Sequence, residues 1–359
     1  MRDLSLLIVA LLIVGNTTAS GAAQTTRSAT APYITTFSIV AWDPETGDFG
    51  VAVQSRYFAV GAVVPHATAE VGAVATQARG NLLYGPEGLS LLGSGIAAEE
   101  VLERLLVADP QRDERQVGIV DKLGRAASYT GEKCLPWSGG RVGRHYAVQG
   151  NLLAGPQVVD AMAAAFEVAS GEFPDRLMYA LTAGQAAGGD ARGRQSAALL
   201  VVRKEGGYLG LTDRYIDLHV EDHATPIHEL LRLLHIRQAQ LATARATEIL
   251  DRAEQAEEGS RAELLGQARE QMLHALELDP DDDYGWWVLA RIHLLEGDAQ
   301  AAADAAQRAL LENPSWRRLP ASTRASLGVP PQLIEALQDV ESFRQVWSSL
   351  APEAAPIAR

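Results

Sequence analysis

Residues 35–56 read TTFSIVAWDPETGDFGVAVQSR, and this stretch predicts a β-hairpin at the head of a mixed domain. Two runs rich in β-branched and aromatic residues flank the turn sequence PETG. Because strand side chains alternate, Thr36, Ser38 and Val40 share one face, while the opposite face of the first strand is wholly apolar. One face therefore carries two hydroxyl groups, and the other is suited to a core.

The sequence after the hairpin alternates strand-like and helix-like segments up to about residue 222. Runs of β-branched residues between Gly, Pro and Asp turns predict further strands within 72–77, 116–131, 146–153 and 195–220. Apolar residues spaced three and four apart predict helices at 85–95, 97–108, 155–171 and 174–187. Because strands and helices come in blocks, we predict a layered α+β domain.

The second part of the chain has a different composition. Of the 32 glycines, 27 precede residue 236, and the pattern from Pro226 onward is helical. The sequence ALELDP at 275–280 recurs as ALLENP at 309–314, an offset of 34 residues that is the period of the tetratricopeptide repeat. This all-α part is thus predicted to comprise a linker helix at 223–258, a tetratricopeptide-like helical repeat at 259–318 and a C-terminal helical tail at 319–359.

The composition limits the class of partner. The chain has 359 residues and a formal charge of −14, and only three of its 31 basic residues are lysines. A protein that binds phosphate backbones needs a basic surface, so we expect no nucleic-acid partner. The lone cysteine, Cys134, excludes an intrachain disulfide. We expect a buried structural thiol there, because His145 is the only histidine near it in sequence.

The first residues have the order of a secretory signal peptide. Arg2 precedes the apolar run LSLLIVALLIVG at 4–15, and small residues follow that run. The run is shorter than the ~20 residues that span a bilayer, although an uncleaved membrane anchor is the alternative. We predict a signal peptide at 1–23, a pro-segment at 24–35 and a secreted or periplasmic protein that meets the membrane only through its signal peptide.

Thr36 can carry chemistry if the mature chain begins there. An N-terminal threonine has a nucleophilic hydroxyl and, on the same residue, an α-amino group of pKa ~7.7 to 8.0 that can act as a general base. The alternative is that Thr36 is simply a β-branched residue that favours a strand.

Four segments together resemble the bacterial family called domain of unknown function 1028. They are TTFSIVAWDPETGDFGVAVQSRYFAVGAVVP, VGAVATQARGNLLYGPEGL, YAVQGNLLAGPQVVDAM and GQAAGGDARGRQSAALLVVRKEGGYLGLTDRYIDL. The resemblance covers roughly residues 35–236, and the family that these segments resemble is placed in the N-terminal-nucleophile (Ntn) hydrolase superfamily. It implies a four-layer αββα sandwich over residues 36–222 and hydrolysis of an amide or peptide bond, with Thr36 in the position of the superfamily nucleophile.

Two features depart from the proteasome-like pattern within that superfamily. Proteasome-like members use a lysine early in the domain to lower the pKa near the threonine, whereas the first lysine here is Lys122. Arg56, at the end of the hairpin, can supply positive charge but cannot shuttle a proton. A free amine at Thr36 also needs a cut just before it. Ser38, on the same face, is the alternative nucleophile.

The loop at 188–196, GGDARGRQS, is the predicted source of groups that stabilise an oxyanion. Its glycines permit unusual backbone angles, and its polar residues directly precede an apolar strand. We assign catalytic roles to Asp190 and Ser196, with Thr36 and Arg56, and substrate-binding roles to Gly189, Arg194, Gln195, Asn81 and Asn151. The alternative for the loop is a polar turn between a helix and a strand, and for the two asparagines ordinary turn and cap roles.

No cofactor site is predicted. Asp217 and His219 share a face of a predicted strand, but the acidic and histidine residues around them lack the spacing of a metal site, so an exposed strand edge is favoured. The sequence has neither a phosphate-binding GxxxxGK(S/T) motif nor a dinucleotide fingerprint after a strand.

Two functions remain open from the sequence. The first is an exported Ntn-type hydrolase that acts on a small-molecule or peptide amide. The second is a non-catalytic periplasmic binding or scaffold protein whose helical repeat engages a protein partner. A homo-oligomer formed through the repeat is a third use of the same module.

Overall fold

The predicted hairpin lies at the centre of a six-stranded sheet in the computed structural model, which describes residues 33–350. The ten strands are β1 (Thr36–Trp42), β2 (Phe49–Ser55), β3 (Pro65–Thr68), β4 (Gly72–Ala78), β5 (Arg115–Asp121), β6 (Ala126–Thr130), β7 (Gly139–Gly143), β8 (Tyr146–Asn151), β9 (Ser196–Val202) and β10 (Arg214–Val220). One sheet has the order β10-β9-β2-β1-β8-β7, and a second sheet has the order β3-β4-β5-β6. All neighbouring strands are antiparallel.

The two sheets lie face to face. Val40 of β1 and Val51 of β2 are buried in a cluster that also contains Ala75 of β4 and Val120 of β5. The residues that alternate with them, such as Phe37 and the other apolar residues of β1, belong to a separate cluster on the far side of the six-stranded sheet. The alternation in the hairpin sequence therefore separates two cores, as expected for a strand buried on both faces.

Helices cover the outer face of each sheet. Helices α1 (Tyr84–Gly93) and α2 (Ala98–Ala108) pack on the four-stranded sheet, and α3 (Gln157–Val168) and α4 (Phe173–Ala186) pack on the six-stranded sheet. The order of layers is therefore helix, sheet, sheet, helix. The hydroxyl-bearing face of β1 points into the space between the sheets.

From Pro226 to residue 350, every secondary-structure element is a helix. The α-helices are α5 (Pro226–Gln255), α6 (Glu258–Leu278), α7 (Asp283–Leu295), α8 (Ala299–Glu312), α9 (Ala321–Ser326), α10 (Pro331–Leu337) and α11 (Glu341–Ser349). Their buried apolar residues from Ala239 onward form one further core. The prediction of a mixed α+β domain followed by a helical region is confirmed.

Helix α5 belongs to two cores. Leu230 and Leu234 in its first half are fully buried with the residues of the six-stranded sheet, whereas Ala242 and Leu250 in its second half are fully buried among the later helices. A helix of 30 residues is about 45 Å long, so it can join both units without a flexible linker.

The predicted signal peptide at 1–23 and the pro-segment up to residue 32 lie outside the described residues. Within residues 33–350, no helix combines the length and the apolar character needed to cross a bilayer.

Candidate functional site

Thr36 is the first residue of β1 and is fully buried. It pairs with Ser55 of β2 on one side and with Asn151 of β8 on the other. Its Oγ1 lies 2.9 Å from the carbonyl oxygen of Ile34 and 3.1 Å from Ser55 Oγ, two acceptors for its single hydroxyl proton. The threonine predicted as nucleophile thus lies at the end of the central strand, between the two sheets.

The carbonyl group of Thr35, which forms the peptide bond to Thr36, accepts two side-chain hydrogen bonds. Ser55 Oγ donates to this oxygen over 2.5 Å, and Arg192 Nη2 donates to it over 3.2 Å. One donor is neutral and the other is a cation, and the Ser55 hydroxyl is buried. Such donors are suited to stabilise negative charge that develops on a carbonyl oxygen.

Asp190 organises the loop that brings Arg192 to this place. Its side chain is fully buried and forms a salt bridge of 2.9 Å with Arg192. It also accepts hydrogen bonds from the backbone N–H of Arg56 at 3.1 Å and from Thr35 Oγ1 at 3.2 Å. A buried carboxylate needs such partners, because an unpaired charge in the interior is costly.

A layer of buried amide side chains lies beside Thr36 between the sheets. Gln77 of β4 donates to Gln116 of β5 over 2.8 Å and contacts the Thr36 carbonyl at 3.3 Å. Ser38 Oγ lies 2.7 Å from Gln77 Oε1 and 2.7 Å from Gln149 Nε2 of β8. Ser38 is therefore held within the amide network, whereas the Thr36 hydroxyl contacts Ser55, the residue that donates to the Thr35 carbonyl.

Asn151 contributes one atom that has no hydrogen-bond partner among residues 33–350. Its Nδ2 donates to Gln116 Oε1 over 2.9 Å, but its buried Oδ1 makes no hydrogen bond within the described part of the chain. An unsatisfied acceptor at a buried position costs free energy unless a donor reaches it. Because Asn151 is the cross-strand neighbour of Thr36, a donor on Thr36 is a suitable partner.

Residues with left-handed backbone conformations surround the site. Ala78, the last residue of β4, has φ of 65°, and Leu152, just after β8, has φ of 50°. Gly189 has φ of 57° and accepts a hydrogen bond from the Ala154 N–H. Such conformations are uncommon for residues other than glycine and cluster at functional sites.

The other residues predicted in and beside this loop contact the loop and its neighbouring strands rather than the Thr35 carbonyl. The Arg56 side chain is exposed and donates to the Arg194 carbonyl at 3.2 Å. The backbone N–H of Gln195 donates to the Ser55 carbonyl at 3.0 Å. Ser196 pairs with Ser55 across β9 and β2, and its Oγ donates to the Tyr57 carbonyl at 2.5 Å. These residues support the loop, and Arg192 supplies the guanidinium that reaches Thr35.

Asn81 takes part in a different cluster. Its Nδ2 donates to Asp109 Oδ2 over 3.2 Å, and its Oδ1 accepts from the Leu83 N–H, as in a turn that precedes a helix. Tyr84 donates to the same carboxylate, and burial raises the pKa of its hydroxyl well above the ordinary value. The structure does not bring Asn81 into contact with Thr36.

Sequence reasoning missed two groups of residues at the site. The sequence pattern alone assigns no role to Ser55, although the register of a hairpin places it opposite Thr36, and it identifies Arg192 only as part of the polar loop. The three glutamines of the buried layer, Gln77, Gln116 and Gln149, come from three strands of two sheets. Only the stacking of those sheets brings them together.

The remaining candidate groups lie elsewhere. All three lysines are exposed. Cys134 is buried as predicted, and burial raises its pKa to about 11. Asp217 and His219 pair at 3.0 Å on β10, and residues 33–350 contain no group of three or more His, Cys, Asp or Glu side chains arranged to hold a metal ion.

Comparison with known proteins agrees with the sequence resemblance. The model of the Family of unknown function (DUF1028) matches residues 36–230 and thus begins at Thr36. The crystal structure of protein SPO2555 from Silicibacter pomeroyi, a DUF1028 protein, is similar at 32% sequence identity and a TM-score of 0.51. The similarity covers 56% of this chain and 88% of that one. No curated protein gives a significant match. With more than half of its length matched by the family model, the chain belongs to the DUF1028 family.

Proposed function

We propose that this protein is an exported Ntn-type hydrolase that cleaves an amide or peptide bond with Thr36 as its N-terminal nucleophile. The helix, sheet, sheet, helix order supports assignment of its first domain to the Ntn-hydrolase sandwich. The position of Thr36 at the start of a central hairpin strand supports its role. The sequence of residues 1–23 supports export.

The donors at the Thr35 carbonyl are the observation that carries this proposal. In the chain as folded, the nitrogen of Thr36 is an amide and cannot act as a base. A cut between Thr35 and Thr36 would free it, and the carbonyl of that bond is the one that Ser55 and Arg192 contact. Two donors that can stabilise an oxyanion thus contact the carbonyl of the bond that this proposal requires to be cut first.

Self-cleavage can proceed by attack of Thr36 Oγ1 on the Thr35 carbonyl carbon. The new C–O bond forms while the carbonyl oxygen gains negative charge, which Ser55 and Arg192 stabilise. The C–N bond then breaks, the hydroxyl proton passes to the leaving nitrogen, and an ester joins the two residues. Addition of water to the ester releases the Thr35 carboxylate and restores the Thr36 hydroxyl, now beside a free amine.

The freed amine would serve as the base for substrate hydrolysis. Its ordinary pKa of ~7.7 to 8.0 lets it accept the hydroxyl proton near neutral pH. Asn151 Oδ1, buried and without a partner in the described chain, is an acceptor that can orient this amine. Asp190 positions Arg192 through their salt bridge of 2.9 Å.

Intact-mass measurement of the purified protein tests the proposal. Wild-type chain should begin at Thr36, Thr36→Ala should retain residue 35, and Thr36→Ser should still be cut because serine keeps the hydroxyl. Ser38→Ala is the matched control, since it removes a hydroxyl from the same strand face two residues away. A wild-type chain that retains residue 35, or a Thr36→Ala chain that is still cut there, would contradict the threonine mechanism.

The alternative is a non-catalytic scaffold. It is favoured by the burial of Ile34 and Thr35 and by their hydrogen bonds, which leave Thr36 blocked. In this case the tetratricopeptide-like helices, whose own core contains the buried Ala302 and Ala306 of α8, would bind a protein partner through their exposed faces. An uncut wild-type chain would support this reading.

A further inference from the structure

We infer that the groove now filled by residues 33–35 is the acyl-side substrate groove of the proposed hydrolase. It takes an extended peptide with an apolar residue one position before the scissile residue and a hydrogen-bond donor on the scissile residue itself. This inference rests on the proposed function. It adds a substrate class, which neither the family nor the Thr36 mechanism supplies.

The backbone of Ile34 is bound as an added strand. Its N–H donates to the Ala78 carbonyl over 2.8 Å, and the Ala78 N–H donates back over 3.0 Å. This pair is an isolated antiparallel bridge at the end of β4. Backbone pairing of this kind recognises any extended peptide, and side-chain pockets then supply specificity.

The side chain of Ile34 fills an apolar pocket. It is only 7% exposed and belongs to the core cluster between the sheets. A Cβ atom built on Gly80 would lie 3.5 Å from Ile34 Cδ1, already in van der Waals contact, so any larger side chain at this position would crowd the isoleucine. A charged side chain at this position would be buried without a partner.

The side chain of Thr35 meets a polar pocket. Its hydroxyl donates to the buried carboxylate of Asp190 over 3.2 Å, and Thr35 is 1% exposed. Two residues before Thr35, the ring of Tyr33 lies 4.8 Å from the guanidinium carbon of Arg79, a half-buried contact that adds little specificity. The two buried positions therefore set the preference, and they differ in chemistry.

After self-cleavage, the segment would occupy the groove as a product. Its new carboxylate at Thr35 would remain beside Arg192 and Ser55, the two donors that contacted the carbonyl before the cut. A substrate must bind with the same contacts and place its own scissile carbonyl there. The released segment is consequently expected to be a competitive inhibitor.

Peptide hydrolysis by the protein after self-cleavage, with its helical region retained, tests the inference. The probe is Ala-Pro-Tyr-Ile-Thr joined to aminomethylcoumarin, and the controls replace Ile by Asp or Thr by Val. We expect the Asp peptide to lose about 100-fold or more in kcat/KM, because a carboxylate would be buried. The Val peptide, which keeps the shape and loses only the donor, should lose about 10-fold.

Variants of the groove give a second readout that needs no added peptide. Gly80→Val should fill the isoleucine pocket and slow self-cleavage about 10-fold or more by misplacing residues 33–35. Adding Ile34→Ala should restore much of the rate, because the smaller side chain leaves room for valine. A rescue by the smaller residue would not follow if Gly80→Val merely unfolded the domain.

The outcomes separate the inference from the function it rests on. Cleavage at Thr36 with the stated peptide preferences and the rescue supports both. Cleavage at Thr36 with equal rates for the Ile and Asp peptides, or with no rescue, overturns the groove and leaves the threonine mechanism standing. An uncut chain by intact mass overturns both.

Discussion

Ser55 is the residue whose substitution is expected to slow the proposed self-cleavage strongly. It accepts the Thr36 hydroxyl proton in one hydrogen-bond arrangement and donates to the Thr35 carbonyl over 2.5 Å. Both partners are buried, so no water can replace a missing hydroxyl without new space. The serine thereby couples the nucleophile to the bond it is proposed to attack.

Ser55→Ala should slow self-cleavage about 100-fold, the usual order for loss of one oxyanion donor. The time course of intact mass after refolding measures this rate. Ser94→Ala, which removes an exposed serine hydroxyl at the end of α1, is the control and should cleave at the wild-type rate. A normal rate in Ser55→Ala would exclude this hydroxyl as a donor to the developing oxyanion.

Cys134 should be chemically inert in the folded protein. It is 6% exposed, and burial raises its pKa to about 11, so little thiolate is present at neutral pH. Alkylation by iodoacetamide at pH 7.5 should be much slower in native protein than in urea-unfolded protein, as followed by mass. Equal rates in the two states would contradict the burial of this thiol.

At the scale of elements, two glycines on helices should respond to alanine in opposite ways. Gly266 lies within α6, and a Cβ there would meet nothing within 4 Å. Gly85 lies in the first turn of α1, and a Cβ there would lie 2.3 Å from the His66 ring. Gly266 therefore lowers the stability of its helix, whereas Gly85 permits close packing of α1 on β3.

Gly266→Ala should stabilise the protein by about 0.5 to 1 kcal/mol, because alanine restricts the unfolded chain and favours the helix. Gly85→Ala should destabilise it by about 1 to 3 kcal/mol, because the histidine ring must move in a packed layer. Urea unfolding measures both free energies, and each variant is the control for the other. Equal effects of the two changes would contradict these packing environments.

The element boundaries show what local sequence can and cannot predict. The hairpin β1 and β2 is predictable because its apolar alternation and its turn residues agree. Strands β3 and β7 were not predicted, since β3 has only four residues and β7, GGRVG, is a glycine-rich strand at a sheet edge. Their strand conformation depends on partners that are distant in sequence.

The candidate site, like the fold, is only partly predictable from local sequence. Thr36 and the loop at 188–196 are identifiable because their residue types carry chemistry at a strand start and in a glycine-rich turn. The role of Arg192 is not, because it depends on Gly188 and Gly189 in left-handed conformations and on a salt bridge to buried Asp190. Only the folded structure shows that Arg192, among the polar residues of this loop, is the one that contacts the Thr35 carbonyl.

At the scale of the whole molecule, α5 joins the sheet domain to the helical region. Near its middle, Gln238 is buried and its Nε2 lies 3.1 Å from Asp175 Oδ2 of α4. Burial raises the pKa of this aspartate, and the Gln238 hydrogen bond opposes that rise. The core of each half continues through the same helix, so we expect the two parts to unfold together.

Gln238→Pro should separate thermal unfolding into two transitions, because proline removes a helical hydrogen bond and costs about 3 kcal/mol or more within a helix. Differential scanning calorimetry measures the transitions. Gln238→Ala is the matched control and should keep one transition with reduced stability, since it loses only the side-chain bond. A single, unshifted transition in Gln238→Pro would show that α5 does not couple the two parts.

The hydrogen bonds at the Thr35 carbonyl have a consequence for the timing of maturation. Nucleophile, carbonyl, serine and arginine all belong to one chain, so the proposed cleavage is a first-order process. Its half-life should be the same in dilute and in concentrated solution, and it can begin only once β1, β2 and the 188–196 loop have come together. Maturation would then report completed folding of each molecule, independently of any processing protease and of its neighbours.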